Sequence, residues 1–96
     1  MMNLPEIYQG LLCANQDAFD QQFFEVAYHV LSGEMHCAYK MEDEEKLIQV
    51  EQLAQEQCWA LEAQSCVSAL AIPPVVSCYQ TLLNITNCKQ VLLQRK

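Results

Sequence analysis

The clearest helical pattern in this 96-residue chain lies in residues 27–54, AYHVLSGEMHCAYKMEDEEKLIQVEQLA. Apolar residues recur there at intervals of three and four, both before and after the acidic stretch MEDEE at residues 41–45. Asp43 can cap a new helix, and the glutamates that follow it suit the positive end of the helix dipole. The stretch therefore predicts two helices that pack antiparallel as a hairpin across a short turn.

Two helices are predicted on the N-terminal side of this turn. Asn3 can cap the first, which carries Pro5 in its first turn and fades at residues 15–16. Asp17 is the predicted cap of a long second helix, in which Gly33 indicates a bend or a close approach by another backbone. The predicted inward face of the second helix consists of Phe23, Phe24, Ala27, Val30, Leu31, Ala38 and Met41.

Two further helices follow the turn. The third has a core face of Leu47, Val50, Leu53, Ala54, Cys58 and Leu61, with an extension to Ala69. Residues 73–74, both proline, can start the fourth helix, whose main stripe is Val75, Val76, Tyr79, Leu82, Leu83, Thr86 and Leu93. The sequence thus predicts an all-α fold: one domain over residues 1–96, a small bundle of about four helices built around the long antiparallel hairpin.

The charge distribution limits the class of partner. The net charge is −7, all twelve acids lie between Glu6 and Glu62, and only five lysines and arginines are present, so no nucleic-acid partner is expected. Residues 63–88 carry no charge, but two prolines and several polar residues interrupt them, so no membrane span is expected either. The first residues lack a basic leader, which favours the cytoplasm.

Six cysteines occur at positions 13, 37, 58, 66, 78 and 88, without any Cys-x-x-Cys pair. This spacing excludes the usual zinc ribbon and the thioredoxin-like redox motif. In a reducing compartment the thiols are expected to be reduced, and free cysteine commonly packs as a small buried apolar side chain. The cysteines are therefore predicted to be packing residues.

Glu25, His29 and His36 form the strongest metal-like arrangement, because these spacings place all three near one face of the second helix. Bundle metal sites usually draw ligands from two helices, so exposed structural histidines are the preferred interpretation. The alternative is a small metal-binding or redox protein using these residues and some of the cysteines. Cys37 adjoins His36, but neighbouring residues on a helix point in different directions, so no nucleophile and base pair is predicted.

The hairpin resembles one inter-repeat hairpin of the tetratricopeptide repeat family. The likeness covers about 35 residues, in which the helices on either side of an acidic turn carry small and aliphatic residues at matching positions. These residues are Ala27, Val30, Leu31, Ala38 and Met41 before the turn, Asp43 within it, and Leu47, Val50, Leu53 and Ala54 after it. The resemblance implies a helical surface that binds proteins, and it implies no chemistry.

No catalytic residue or cofactor is predicted, and the leading hypothesis is a non-catalytic interaction module that binds a protein partner or itself. A two-fold homodimer is expected, with an interface formed by Val75, Val76, Tyr79, Leu82 and Leu83. The fourth helix also offers Cys78, Ile85 and Leu92 off its main stripe, which gives it more apolar surface than one core face needs. Trp59 is expected in the core, with an interface anchor as the alternative. A third hypothesis is an enzyme with a pocket between the helices.

Overall fold

A computed structural model of the chain describes residues 2–65 and 72–95, and these residues form four α-helices without any strand. The helices are α1 (Leu4–Asp20), α2 (Phe24–Lys40), α3 (Glu44–Ser65) and α4 (Ile72–Gln94). The predicted all-α bundle is therefore confirmed. The predicted extension of the third helix to Ala69 lies outside the described residues.

Two helix starts follow the sequence prediction. The Asn3 side-chain oxygen accepts a hydrogen bond from the Glu6 amide at 2.9 Å, and a proline stands in the first turn of α1. The Asp43 carboxylate accepts a hydrogen bond from the Lys46 amide at 3.1 Å, in the same cap geometry. Each side chain satisfies a backbone donor that the first helical turn leaves unpaired, so local sequence is sufficient to start both helices.

The boundary between α1 and α2 differs from the prediction. Asp17 lies inside α1, where its carbonyl accepts from the Gln21 amide at 3.1 Å, so it does not cap a second helix. The chain reverses at Gln22, which has φ 67°, and the Phe23 amide donates to the Ala18 carbonyl at 2.8 Å. Left-handed φ values usually coincide with glycine or asparagine at helix ends, and a glutamine gives no such signal in the sequence.

Four side-chain contacts define how the helices are arranged. Hydrogen bonds join Tyr8 to Gln49 and Asn15 to Gln57, at sequence separations of 41 and 42, so α1 and α3 run parallel. Ring contacts join α2 to α4: Tyr28 meets Tyr79 with 5.8 Å between ring centres, and Lys89 lies over Tyr39. Two antiparallel hairpins, α1 with α2 and α3 with α4, therefore lie side by side, and the predicted α2 and α3 hairpin connects them.

The core lies where the inward faces of all four helices meet. Its fully or nearly buried apolar members are Tyr8, Leu31, Met35, Ala38, Leu47, Val50, Ala54, Cys58, Leu61, Tyr79 and Leu82. The predicted core face of α3 agrees closely with this set. Phe23, which immediately precedes α2, is 57% exposed, and this corrects its predicted inward position. Gly33 lies within α2, and the nearest atom that a Cβ there would meet is Leu11 Cδ1 at 3.4 Å, so it is a side chain and not a backbone that approaches Gly33.

The described helices were also compared with the requirements of a membrane span. None of them combines the length with the apolar character needed to cross a bilayer.

Candidate functional site

The residues predicted as an interface on α4 lie on its inward face. Tyr79 and Leu82 are 0% and 1% exposed, and both belong to the core. Val75, Val76 and Leu83 are partly buried and pack against that core. Tyr79 and Leu82 are therefore covered within one molecule and hold α4 in the bundle, whereas Val75, Val76 and Leu83 keep part of their surface exposed.

The opposite side of α4 carries a second apolar row, formed by Ile85, Cys88, Val91 and Leu92, here named the α4 outer face. Ile85, Val91 and Leu92 are 40%, 45% and 48% exposed, and Cys88 is exposed as well. Around Cys88 the side chains leave a shallow apolar groove of about 380 Å³, bordered by Asn87. The spacing of three and four residues places the row along one side of the helix, where it forms a continuous apolar strip.

Polar contacts determine which side of α4 turns inward. The Tyr79 hydroxyl donates to the Gln57 side-chain carbonyl at 2.6 Å. The Gln57 amide group donates to Asn15 at 2.6 Å, and the Asn15 amide group donates to the Ala27 carbonyl at 2.8 Å. Near the other end of the helix, Gln90 donates to a Glu51 carboxylate oxygen. These contacts connect α4 with the other three helices and leave the α4 outer face toward solvent.

Glu34 is the most unusual side chain of the core. It is 0% exposed, and neither carboxylate oxygen has a hydrogen-bond partner among the described residues. Burial raises its pKa from 4.5 to about 8, because the charged form loses its hydration without gaining a partner. Burial raises the pKa of the Tyr8 and Tyr79 hydroxyls and of the Cys37 thiol, and a negative charge at Glu34 adds to each of these rises.

The three metal candidates do not form a joint site. Glu25 and His29 approach to 4.0 Å, one turn apart on α2, and both side chains are largely exposed. His36 instead borders a surface groove with Leu4 and Tyr39. In the part of the chain that the structure describes, no group of three histidine, cysteine or acidic side chains is arranged to hold a metal ion. The metal hypothesis therefore gains no support from the geometry.

The cysteines divide into buried and exposed residues. Cys13, Cys37, Cys58, Cys78 and Cys88 are free, and Cys66 lies outside the described residues. Cys58 alone among these five is fully buried, and it donates to Glu62 at 3.5 Å. Burial, together with that carboxylate, raises the pKa of the Cys58 thiol to about 11. The prediction that the cysteines are packing residues is wrong for Cys13, Cys78 and Cys88, which face solvent.

The sequence predicted the burial or exposure of the residues at this site only in part. Trp59 is 62% exposed, so the predicted core position is wrong, and the alternative of an interface anchor stays a prediction. Glu34 lies three residues after Leu31 and four before Ala38, a spacing that already places it on the apolar face. The spacing of Cys88 and Val91 from Ile85 was likewise visible, but no sequence signal showed which side of α4 would be covered.

The chain was compared with protein-family models, with curated proteins and with solved structures, and none of them matches it.

Proposed function

We propose that this protein is a non-catalytic interaction module that self-associates as a two-fold dimer through the α4 outer face. The observation that supports the proposal is the row of Ile85, Cys88, Val91 and Leu92, which is apolar, contiguous along one helix and exposed. Apolar side chains scattered over a surface need no explanation, but a continuous strip of them is typical of an interaction surface.

The charge distribution favours a second copy as the occupant of this face. The chain has a net charge of −7, and every acidic residue precedes residue 63, so α4 contains none. Two copies that meet through any of the other helices bring carboxylates together, which opposes association. Two copies that meet through α4 bury apolar side chains without desolvating a carboxylate. The predicted dimer is therefore retained, with its interface moved to the outer face.

A two-fold axis gives this contact a definite register. In an antiparallel pairing of two α4 helices centred near Cys88, Ile85 of one copy lies opposite Leu92 of the second copy. The two Cys88 thiols then lie close to the axis. A free Cys88 thiol stays reduced in a reducing compartment, so we also propose that the protein is located in the cytoplasm.

The first test uses sedimentation or light scattering at tens of micromolar protein. Wild type is expected to be a dimer, and Leu92→Glu is expected to be a folded monomer. An unpaired carboxylate in an apolar contact costs several kcal/mol, which corresponds to roughly a 100-fold loss of dimer affinity or more. Val26→Glu is the matched control, since Val26 is an exposed apolar residue of α2 at 53% exposure. A monomeric wild type, or a Leu92→Glu variant that stays dimeric, contradicts the proposal.

The second test examines the register with single-cysteine variants treated with the oxidant diamide. A variant that keeps only Cys88 is expected to form a covalent dimer, with one disulfide formed and the diamide reduced to its hydrazine. A variant that keeps only Cys13, an exposed thiol of α1, is the control and is expected to remain uncrosslinked. Equal crosslinking of the two variants would show that collisions, not a specific contact, bring the thiols together.

A further inference from the structure

Glu34 occupies a position on α2 that apolar side chains would normally fill. Its neighbours along the same face, Leu31, Met35 and Ala38, are at most 1% exposed. Its two oxygens lack any hydrogen-bond partner among the described residues, whereas the nearby polar core residues Asn15 and Gln57 bond to each other. A buried carboxyl without partners is tolerated in its neutral form and strongly disfavoured in its charged form.

The groups that face Glu34 cannot compensate its charge. They are Tyr8 on α1, Cys37 on α2 and Tyr79 on α4, all of which become negative when they ionise. On α3, Cys58 acts on Tyr79, and its thiol also becomes negative when it ionises. No described cation lowers the Glu34 pKa, and Lys46, which lies 5.5 Å from the centre of the Tyr8 ring, is paired with Asp43 at 3.4 Å. Removal of the Glu34 proton therefore leaves an uncompensated buried charge.

We infer that Glu34 is a proton-dependent switch in the bundle: the neutral carboxyl lets α2 pack against α1 and α4, and loss of its proton weakens that packing. The inference rests on the burial of the carboxyl and on its missing partners, and it is independent of the proposed dimer. The quantity that would respond to pH is the stability of the bundle. Tyr8 on α1 and Tyr79 on α4 both lie within the electrostatic influence of Glu34, so a charge there affects both neighbouring helices.

The sign of the pH dependence follows from the two states. The Glu34 pKa is about 8 in the folded protein and 4.5 for the ordinary side chain, so between these values the unfolded chain loses a proton that the folded chain keeps. The stability that depends on the neutral Glu34 carboxyl is therefore fully present below the lower pKa, and it is lost as the pH rises to about 8. Within this window the folding equilibrium constant is expected to fall roughly tenfold for each pH unit.

The test compares urea unfolding of wild type and Glu34→Gln between pH 5 and 9, at one low protein concentration. Glutamine keeps the shape of the neutral carboxyl and cannot ionise. The ratio of the folding constants, variant over wild type, is expected to rise roughly tenfold per pH unit up to about pH 8 and then to level off. Glu56→Gln removes an exposed carboxylate of α3 and is expected to give a flat ratio. A flat ratio for Glu34→Gln would overturn the inference.

A second measurement uses the wild type alone and stays decisive if Glu34→Gln does not fold. Carbon-13 NMR of the glutamate side-chain carboxyls reports each protonation directly. One carboxyl is expected to titrate near pH 8. If every glutamate in the folded protein titrates near pH 4.5, Glu34 is charged under neutral conditions and the switch does not exist.

Discussion

The two sides of α4 are both rich in apolar residues and both free of acidic ones, but they have different roles in the structure. Leu82 is 1% exposed and Leu92 is 48% exposed, although the two leucines lie ten residues apart on the same helix. Side-chain chemistry does not separate them. The comparison shows that apolar character indicates which residues can be buried, whereas the neighbouring helices decide which ones are buried within a single molecule.

The inward side is distinguished by its polar contacts as well as by its apolar ones. The Tyr79 hydroxyl forms a hydrogen bond with Gln57, and Gln57 forms another with Asn15. The inward side therefore contains a polar network whose hydrogen bonds are satisfied, and the α4 outer face has no such network among the described residues. Buried polar groups need specific partners, and they therefore favour one orientation of the helix over others that bury a similar apolar area. Three substitutions test this account of the two sides.

The largest effect is expected for Leu82→Ala. The substitution removes a fully buried side chain and leaves a cavity among α2, α3 and α4, so the free energy of unfolding should fall by about 2–5 kcal/mol. Urea unfolding followed by circular dichroism measures the loss. A loss below the effect of an ordinary surface substitution would mean that the inward side of α4 is not the packed side.

An intermediate effect is expected for Tyr79→Phe. The ring is retained and only the hydroxyl is lost, which leaves the Gln57 carbonyl with the Asn15 amide group at 3.3 Å as its remaining donor. The free energy of unfolding should fall by about 1 kcal/mol, the net value of one hydrogen bond. The same unfolding experiment tests this, and an unchanged stability would show that the network does not orient α4.

The smallest effect on the monomer is expected for Leu92→Ala. Measured at a concentration low enough for wild type to be monomeric, the free energy of unfolding should change by no more than about 0.5 kcal/mol, because the side chain is half exposed and alanine is a good helix former. Dimerisation, measured separately at tens of micromolar, should weaken. A large loss of monomer stability would place Leu92 in the core and remove the contrast with Leu82.

The positions of the helices were predictable to the extent that local chemistry sets them. Asn3 and Asp43 cap α1 and α3 as expected, and the periodic apolar residues of α3 lie in the core. The end of α1 was not predictable in the same way, because Gln22 takes the left-handed conformation without a glycine. Such a turn is stabilised by the packing of the two helices that it joins, and its own sequence carries no signal of it.

The candidate site could be predicted only in part. The sequence indicated that α4 has more apolar surface than one core face needs, and that excess is present as Ile85, Val91 and Leu92. It did not indicate which row faces outward, and two of the predicted interface residues, Tyr79 and Leu82, are buried within the monomer. The burial of Glu34 was not predicted, because a glutamate normally indicates a solvated position, although its spacing from Leu31 places it on the inward face.

The sequence by itself determined the helical class and the caps at Asn3 and Asp43, because each depends on residues within a few positions of one another. It also determined the concentration of negative charge before residue 63, because that is a property of the composition alone. Only the tertiary structure decided that Tyr79 and Leu82 are covered while Leu92 is not, and that the Glu34 carboxyl is left without a partner. These outcomes depend on contacts between residues far apart in the chain, whose free energies arise only when all four helices are packed together.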